Sequence, residues 1–183
     1  MTINKNIKKT FCIHPTSLLL AFVLFSLVAS SPSFSDGSLD RLDAQIARKI
    51  ILGCERFAQA KSKNIAIAVV DQGAHLIAFS RMNNVPSGIA EVAQWKASSA
   101  ALYGASTKDF QDMAEQNQLL YHLPNAAPVG GGEPILSADG SVLGAVGVSG
   151  VSPELDRACA LDGFTAAIAS EKWAAHDRRY ALR

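Results

Sequence analysis

Residues 127–156 read APVGGGEPILSADGSVLGAVGVSGVSPELD. Seven of these thirty residues are glycine, yet the apolar residues between them alternate as in a folded sheet. Glycine inside a strand weakens it and marks the close approach of another backbone or a ligand. The segments 135–138 and 142–149 read as two strands joined across Asp139-Gly140, a tight-hairpin signal. Ser152 as N-cap, Pro153 at the first helical position, and Glu154 and Asp156 in the first turn launch a closing helix. Its inner face is read as Leu155, Cys159, Asp162, Ala166, Ala169 and Trp173, with Asp162 the one charge on it.

Upstream, Ser38 is the expected cap of a first helix over about 39–60, whose buried stripe is Leu42, Ile46, Ile50, Cys54 and Phe57. Ile65 to Val70 is a short β-branched run ended by Asp71-Gln72-Gly73, a strand and a turn. His75 to Met82 returns. Alternation puts His75, Ile77, Phe79 and Arg81 on one side and Leu76, Ala78, Ser80 and Met82 on the other. A helix over about 88–103 carries Ile89, Val92, Ala93, Lys96, Ala100 and Tyr103 on its stripe, so Lys96 sits within an apolar face. Thr107 caps a further helix running through Phe110, Met113 and Leu120. A coil of prolines and glycines follows from His122 to Pro134. The order is α-β-β-α-α-β-β-α, with room for a short extra strand before the triple glycine. Two hairpins with segregated helices make an α+β domain with an antiparallel sheet.

The front of the chain is of another kind. Lys5, Lys8 and Lys9, with no acidic residue, precede an apolar run of about a dozen residues from Leu18, and small residues follow at Ser33 and Ser35. This is the pattern of a secretory signal peptide over 1–35, cut after Ser35 or after Ser30. The run is short for a bilayer span. The chain is therefore expected to be exported, to the periplasm or the medium, with 36–183 forming one domain. Removing three of the seventeen basic residues and none of the sixteen acidic ones takes the net charge from +1 to −2. That balance excludes the basic face that nucleic acid requires. Cys12 leaves with the leader. Cys54 and Cys159 remain, both on apolar helix faces; they are read as buried free thiols, with a pairing in an oxidising compartment the alternative. The absence of Cys-x-x-Cys-His excludes covalent c-type haem attachment.

Six segments in fixed order carry a resemblance. They are Val69–Met82, Lys96-Ala97, His122-Leu123-Pro124, Gly130-Gly131-Gly132-Glu133-Pro134-Ile135, Gly144–Gly150 and Ser152–Asp156. Together they resemble the GlcG/HbpS family of haem-binding and haem-degrading domains, related to the C-terminal domain of PduO. The likeness covers about 40–172. It implies a five-stranded antiparallel sheet with packed helices, assembly into homo-oligomers, and non-covalent haem binding, with iron release or haem breakdown in some members.

Read one by one, the candidate residues leave alternatives open. His75 is either an axial iron ligand beside an apolar slot or a histidine bonded locally at its turn. His122 is the second candidate metal ligand, or simply an exposed loop residue. Lys96 meets either a haem propionate or substrate carboxylate, or an internal acid such as Asp162 or Glu154. Arg81 offers a fork for a carboxylate, or faces solvent. Gly130, Gly131 and Gly132 form either an anion-binding nest or a tight crossing of chains. No Gly-Lys-Ser/Thr closes a phosphate loop, and Ser149-Gly150 lacks the nucleophile-elbow pattern.

Three functions stay in play. The first is an exported haem-binding protein used in storage, sensing or breakdown. The second is an enzyme acting on a small carboxylate or other anionic ligand. The third is a multimeric module that binds a partner protein without catalysis.

Overall fold

The structure is a computed structural model that describes residues 42–137 and 139–169; the proposed leader, Ser38, Ala138, Trp173 and His176 lie outside these. The elements are α1 (Ala44–Ala60), β1 (Ala66–Asp71), β2 (Leu76–Arg81), α2 (Ser87–Tyr103), α3 (Thr107–Gln116), a 3-10 helix (Gln118–His122), β3 (Gly132–Leu136), β4 (Val142–Ser149) and α4 (Pro153–Ala169). The sheet is antiparallel throughout, in the order β2-β1-β4-β3.

The α+β class and the order of helices and strands are as expected. The strand count is not: the described residues form four strands rather than five. Where the extra strand had room, residues 118–122 wind into the 3-10 helix, and Asn117 caps it by accepting from the Leu119 N–H. The α3 helix correspondingly stops at Gln116 and does not reach Leu120.

Strand alternation sorts the sheet by size. Ile67 and Val69 of β1 and Val146 and Val148 of β4 face α1 and α4, forming one core with Ile46, Ile50, Cys54, Cys159 and Phe164. The opposite face presents Ala66, Ala68 and Ala145 to an alanine-lined α2, through Ala90, Ala93, Ala97, Ala100 and Ala101. Small residues on both surfaces let helix and sheet backbones approach closely. Gly147 is where they meet, since a methyl there would overlap the Ala93 carbonyl oxygen and the Ala97 nitrogen. Gly144 lies on the other face, against Leu42.

Three local readings are corrected. The cap of α1 is Asp43, whose Oδ1 accepts from the Gln45 and Ile46 N–H groups at 2.8 Å each; Leu42 is buried but precedes the helix. The inner face of α4 is Asp156, Cys159, Ala160, Gly163, Phe164 and Ala167, while Asp162 is exposed. The rotation follows from a glycine contact: a Cβ on Gly53 would come 2.8 Å from the Gly163 Cα, so these two positions set the helix-to-helix approach.

The third correction is a β-bulge. The β1–β2 register runs Ala66↔Arg81, Ala68↔Phe79 and Val69↔Ala78, then slips so that Val70 faces Leu76. One extra residue in β2 interrupts the alternation. Leu76 therefore joins Phe79 and Arg81 on the α2 side, while Ile77 packs with Ala78 on the α1 and α4 core.

Candidate functional site

Lys96 sits inside the protein. Its Nζ donates to Asp156 Oδ2 and to the Val148 carbonyl, both at 3.0 Å, and the two side chains are only 2% and 4% exposed. Asp156 Oδ1 also accepts from the Val151 N–H at 3.1 Å, tying the first turn of α4 to the end of β4. Burial lowers the Lys96 pKa, and the charge and hydrogen bond of Asp156 oppose that. Burial likewise raises Asp156, against Lys96 and the backbone N–H groups of Val151 and Gly150. The internal acid is thus Asp156, a residue assigned above to the helix dipole; Glu154 and Asp162 are both exposed. The chain's own carboxylate fills the place that a ligand carboxylate would take.

The triple glycine passes over this pair. Gly131 has φ +124°, and a Cβ on it would lie 2.9 Å from Lys96 Nζ and 2.6 Å from the Val148 oxygen. A Cβ on Gly132 would overlap the Lys96 carbonyl. Two of the three N–H groups are spent within the chain: Gly130 donates to Gln111 Oε1 at 3.1 Å and Gly132 to Thr107 Oγ1 at 2.8 Å. The geometry is that of chains crossing tightly, since only glycine has both the positive φ and the missing side chain.

Glu133, the next residue, is a site member that the sequence reading used only as a family mark. It is fully buried. Its Oε1 accepts from Ser106 Oγ and Arg157 Nε, both at 2.7 Å, and its Oε2 has no partner among the described residues. Burial raises its pKa, with Ser106 and Arg157 pulling the other way.

His75 stands at the β1–β2 turn with its side chain 83% exposed. Asp71 Oδ1 organises the turn, accepting from the Gly73 N–H at 2.8 Å and the His75 N–H at 2.9 Å. The His75 Nδ1 lies 3.3 Å from the same oxygen. The ring rests over Gly73, where a Cβ would come 2.9 Å from Nδ1. Slight burial raises Asp71, but the N–H groups of His75 and Gly73 outweigh it, so its carboxyl lies below the ordinary aspartate value. A carboxylate beside one ring nitrogen is a common way of orienting an imidazole that binds metal through the other.

From His75 the β2 strand runs along the sheet edge. Leu76 and Phe79 are exposed on the α2 side, and Arg81 Nη1 donates to Ser87 Oγ at the start of α2 at 2.9 Å. Leu76 and Phe79 thus form an exposed apolar strip on β2 that ends at the Arg81 guanidinium. His122 ends the 3-10 helix on a separate segment, exposed beside Tyr121 and Leu123. The structure thus gathers Lys96 with the glycines, puts Leu76, Phe79 and Arg81 on the α2 side of β2 with His75 at the turn before that strand, and leaves His122 apart.

Among the described residues no group of three or more His, Cys, Asp or Glu side chains is placed to hold a bare metal ion, and no helix is long and apolar enough to cross a membrane. A haem asks for less, one axial donor and an apolar surface. His75 with Leu76 and Phe79 fits that donor set.

Residues 42–165 match the family model described as haem degrading protein HbpS-like. Protein GlcG of Escherichia coli (strain K12) is 37% identical over 109 residues, which cover 59% of this chain and 81% of GlcG. The crystal structure of HbpS has a TM-score of 0.64 at 25% identity, covering 68% of this chain and 89% of that one. The crystal structure of a PduOC:haem complex shares the fold, with a TM-score of 0.64 at 24% identity over 69% of this chain and 94% of the other. The buried lysine, the glycine crossing and the four-stranded sheet therefore belong to a member of the HbpS-like family of haem-degrading proteins.

Proposed function

We propose that the protein is an exported haem-binding protein, holding haem non-covalently against the β2 strip with His75 as its axial ligand. The observation that carries this reading is the His75 imidazole itself: exposed, 3.3 Å through Nδ1 from Asp71 Oδ1, seated on Gly73, and in the turn that leads into the strand bearing the exposed Leu76 and Phe79. It belongs to a chain whose family is haem-degrading.

Arg81, at the other end of the strip, is suited to a propionate through its fork of donors. The strip is one wall, and a second copy of the chain supplies the other, in keeping with the homo-oligomer that the family resemblance implies. His122 is then the candidate for the second axial position. Lys96, Gly130 and Gly132 support the strand order beneath instead of touching the ligand, because their donors are already engaged. If haem is broken down, its iron supplies the oxygen chemistry and the protein sets ligand and access.

Titrating the purified protein with micromolar haemin tests the reading. A Soret band should develop, and it should weaken in His75→Ala. A protein that gives no band sinks it, and an unchanged His75→Ala titration removes His75 as the ligand. Adding ascorbate to the complex distinguishes breakdown from storage: loss of the Soret band with iron release marks turnover. Export is checked by N-terminal sequencing from the exported fraction, which should begin at Asp36 or Ser31.

A further inference from the structure

The two cysteines of the folded domain face each other across the contact between its first and last helices. Cys54 of α1 and Cys159 of α4 are both buried. Cys54 Sγ donates to the Cys159 carbonyl at 2.8 Å, and Cys159 Sγ donates to the Cys54 carbonyl at 3.2 Å. Each thiol therefore reaches across to the other residue's backbone. The helices touch here because both carry glycine at the contact: a Cβ on Gly163 would lie 2.8 Å from Cys54 Sγ, and one on Gly53 2.8 Å from the Gly163 Cα. Reciprocal contacts of this kind require neighbouring Cα positions, the main geometric requirement for a disulfide. We propose that Cys54 and Cys159 are joined by a disulfide that staples α1 to α4 when the chain folds in the presence of a disulfide donor.

The reaction is thiol–disulfide exchange with a small-molecule disulfide or the disulfide of an oxidoreductase. One cysteine loses its proton and its thiolate attacks one donor sulfur, forming a mixed disulfide; the donor S–S bond breaks and the other donor sulfur takes up the proton and leaves as a thiol. The second cysteine, also deprotonated, attacks the sulfur of the first and releases the remaining donor sulfur. Two protein thiols are oxidised to one disulfide, and the donor disulfide is reduced to two thiols.

The order of events follows from burial. Burial first, and then the neighbouring Cys159 thiol, push the Cys54 thiol well above its ordinary pKa, so the folded state supplies little thiolate. Exchange thus belongs to the stage before α4 is fully docked, and the same burial then shields the finished bond from reductants.

The full chain tests this. Reduced, denatured protein is refolded in glutathione disulfide, quenched by alkylation, and digested with trypsin. The cleavage sites put the two cysteines in short separate peptides, 50–56 and 158–172, distinct from the one holding Cys12. The expected product is a linked pair of these two peptides that separates on reduction, from protein melting about 5–10 °C above its reduced form. Recovery of both peptides singly alkylated from folded, oxidatively refolded protein overturns the proposal, and so does a link from either cysteine to Cys12. A Cys54→Ser, Cys159→Ser chain, read by circular dichroism, should fold and melt like the reduced protein.

Discussion

Lys96 Nζ and Asp156 Oδ2 are 3.0 Å apart with both side chains out of solvent, which makes them a buried ion pair joining α2 to α4. Removing one member of such a pair strands a charge and costs about 3–5 kcal/mol. Lys96→Met should lose that much in urea denaturation. Adding Asp156→Asn, which keeps an acceptor for the Val151 N–H, should restore at least half, because no lone charge then remains.

Glycines that look alike in sequence should behave oppositely. Gly147→Ala drives a methyl into the α2 backbone and should cost about 3 kcal/mol, the upper end for overpacking. Gly88→Ala meets nothing within 4 Å and should stabilise by about 0.5 kcal/mol through the unfolded chain. Paired thermal melts of the two variants check both signs.

Glu133 gives a pH dependence of unusual sign for a carboxylate. Its folded pKa is raised, by burial above all, with Asp109 adding in the same direction. The folded chain therefore holds the proton more tightly than the unfolded one. The stabilisation is full in acid below the ordinary glutamate value and is lost as pH rises through the raised value. Asp156 contributes in the same sense. Asp71, Glu154 and Asp139, the last lowered to about 2 by Ser137 and Ser141, act oppositely at lower pH. Glu133→Gln should flatten the fall in melting temperature above pH 4, and the difference between variant and parent isolates this residue from the other acids.

Asp71→Asn should weaken haem binding about tenfold, the usual size of losing the hydrogen-bond partner of a metal-binding imidazole. The ring would lose its ionic acceptor while the turn keeps an oxygen for the Gly73 and His75 N–H groups. Haemin titration reads the change in affinity, and far-ultraviolet dichroism should stay the same.

Much of this fold is written in local pattern. The Ile65–Val70 run, the Asp139-Gly140 turn and the Ser152-Pro153 start all act through their own neighbours, and each stands where the sequence puts it. What escapes is what only the third dimension decides. The bulge that moves Leu76 beside Phe79 leaves no trace, because Leu76-Ile77-Ala78 contains neither glycine nor proline. Asp156 reads as a dipole residue until α2 brings Lys96 against it. The rotation of α4 that buries Asp156 and exposes Asp162 depends on Gly53, more than a hundred residues away. Of the candidate site, the Asp71-x-Gly73-x-His75 turn is legible as a turn, and local bonding of His75 is one of its two readings there; the partner, Asp71, is what the structure adds.

The position of β1 has a consequence for how the chain comes into being. It is an inner strand between β2, which follows at once, and β4, which comes some seventy residues later, and the α1 helix before it is covered largely by α4. A ribosome that has made β1 and β2 has made a ribbon with one side of its hydrogen bonds unmet and a helix without its main cover. The core cannot close until residues beyond 153 have emerged, so its folding is a single late event rather than a growth from the front.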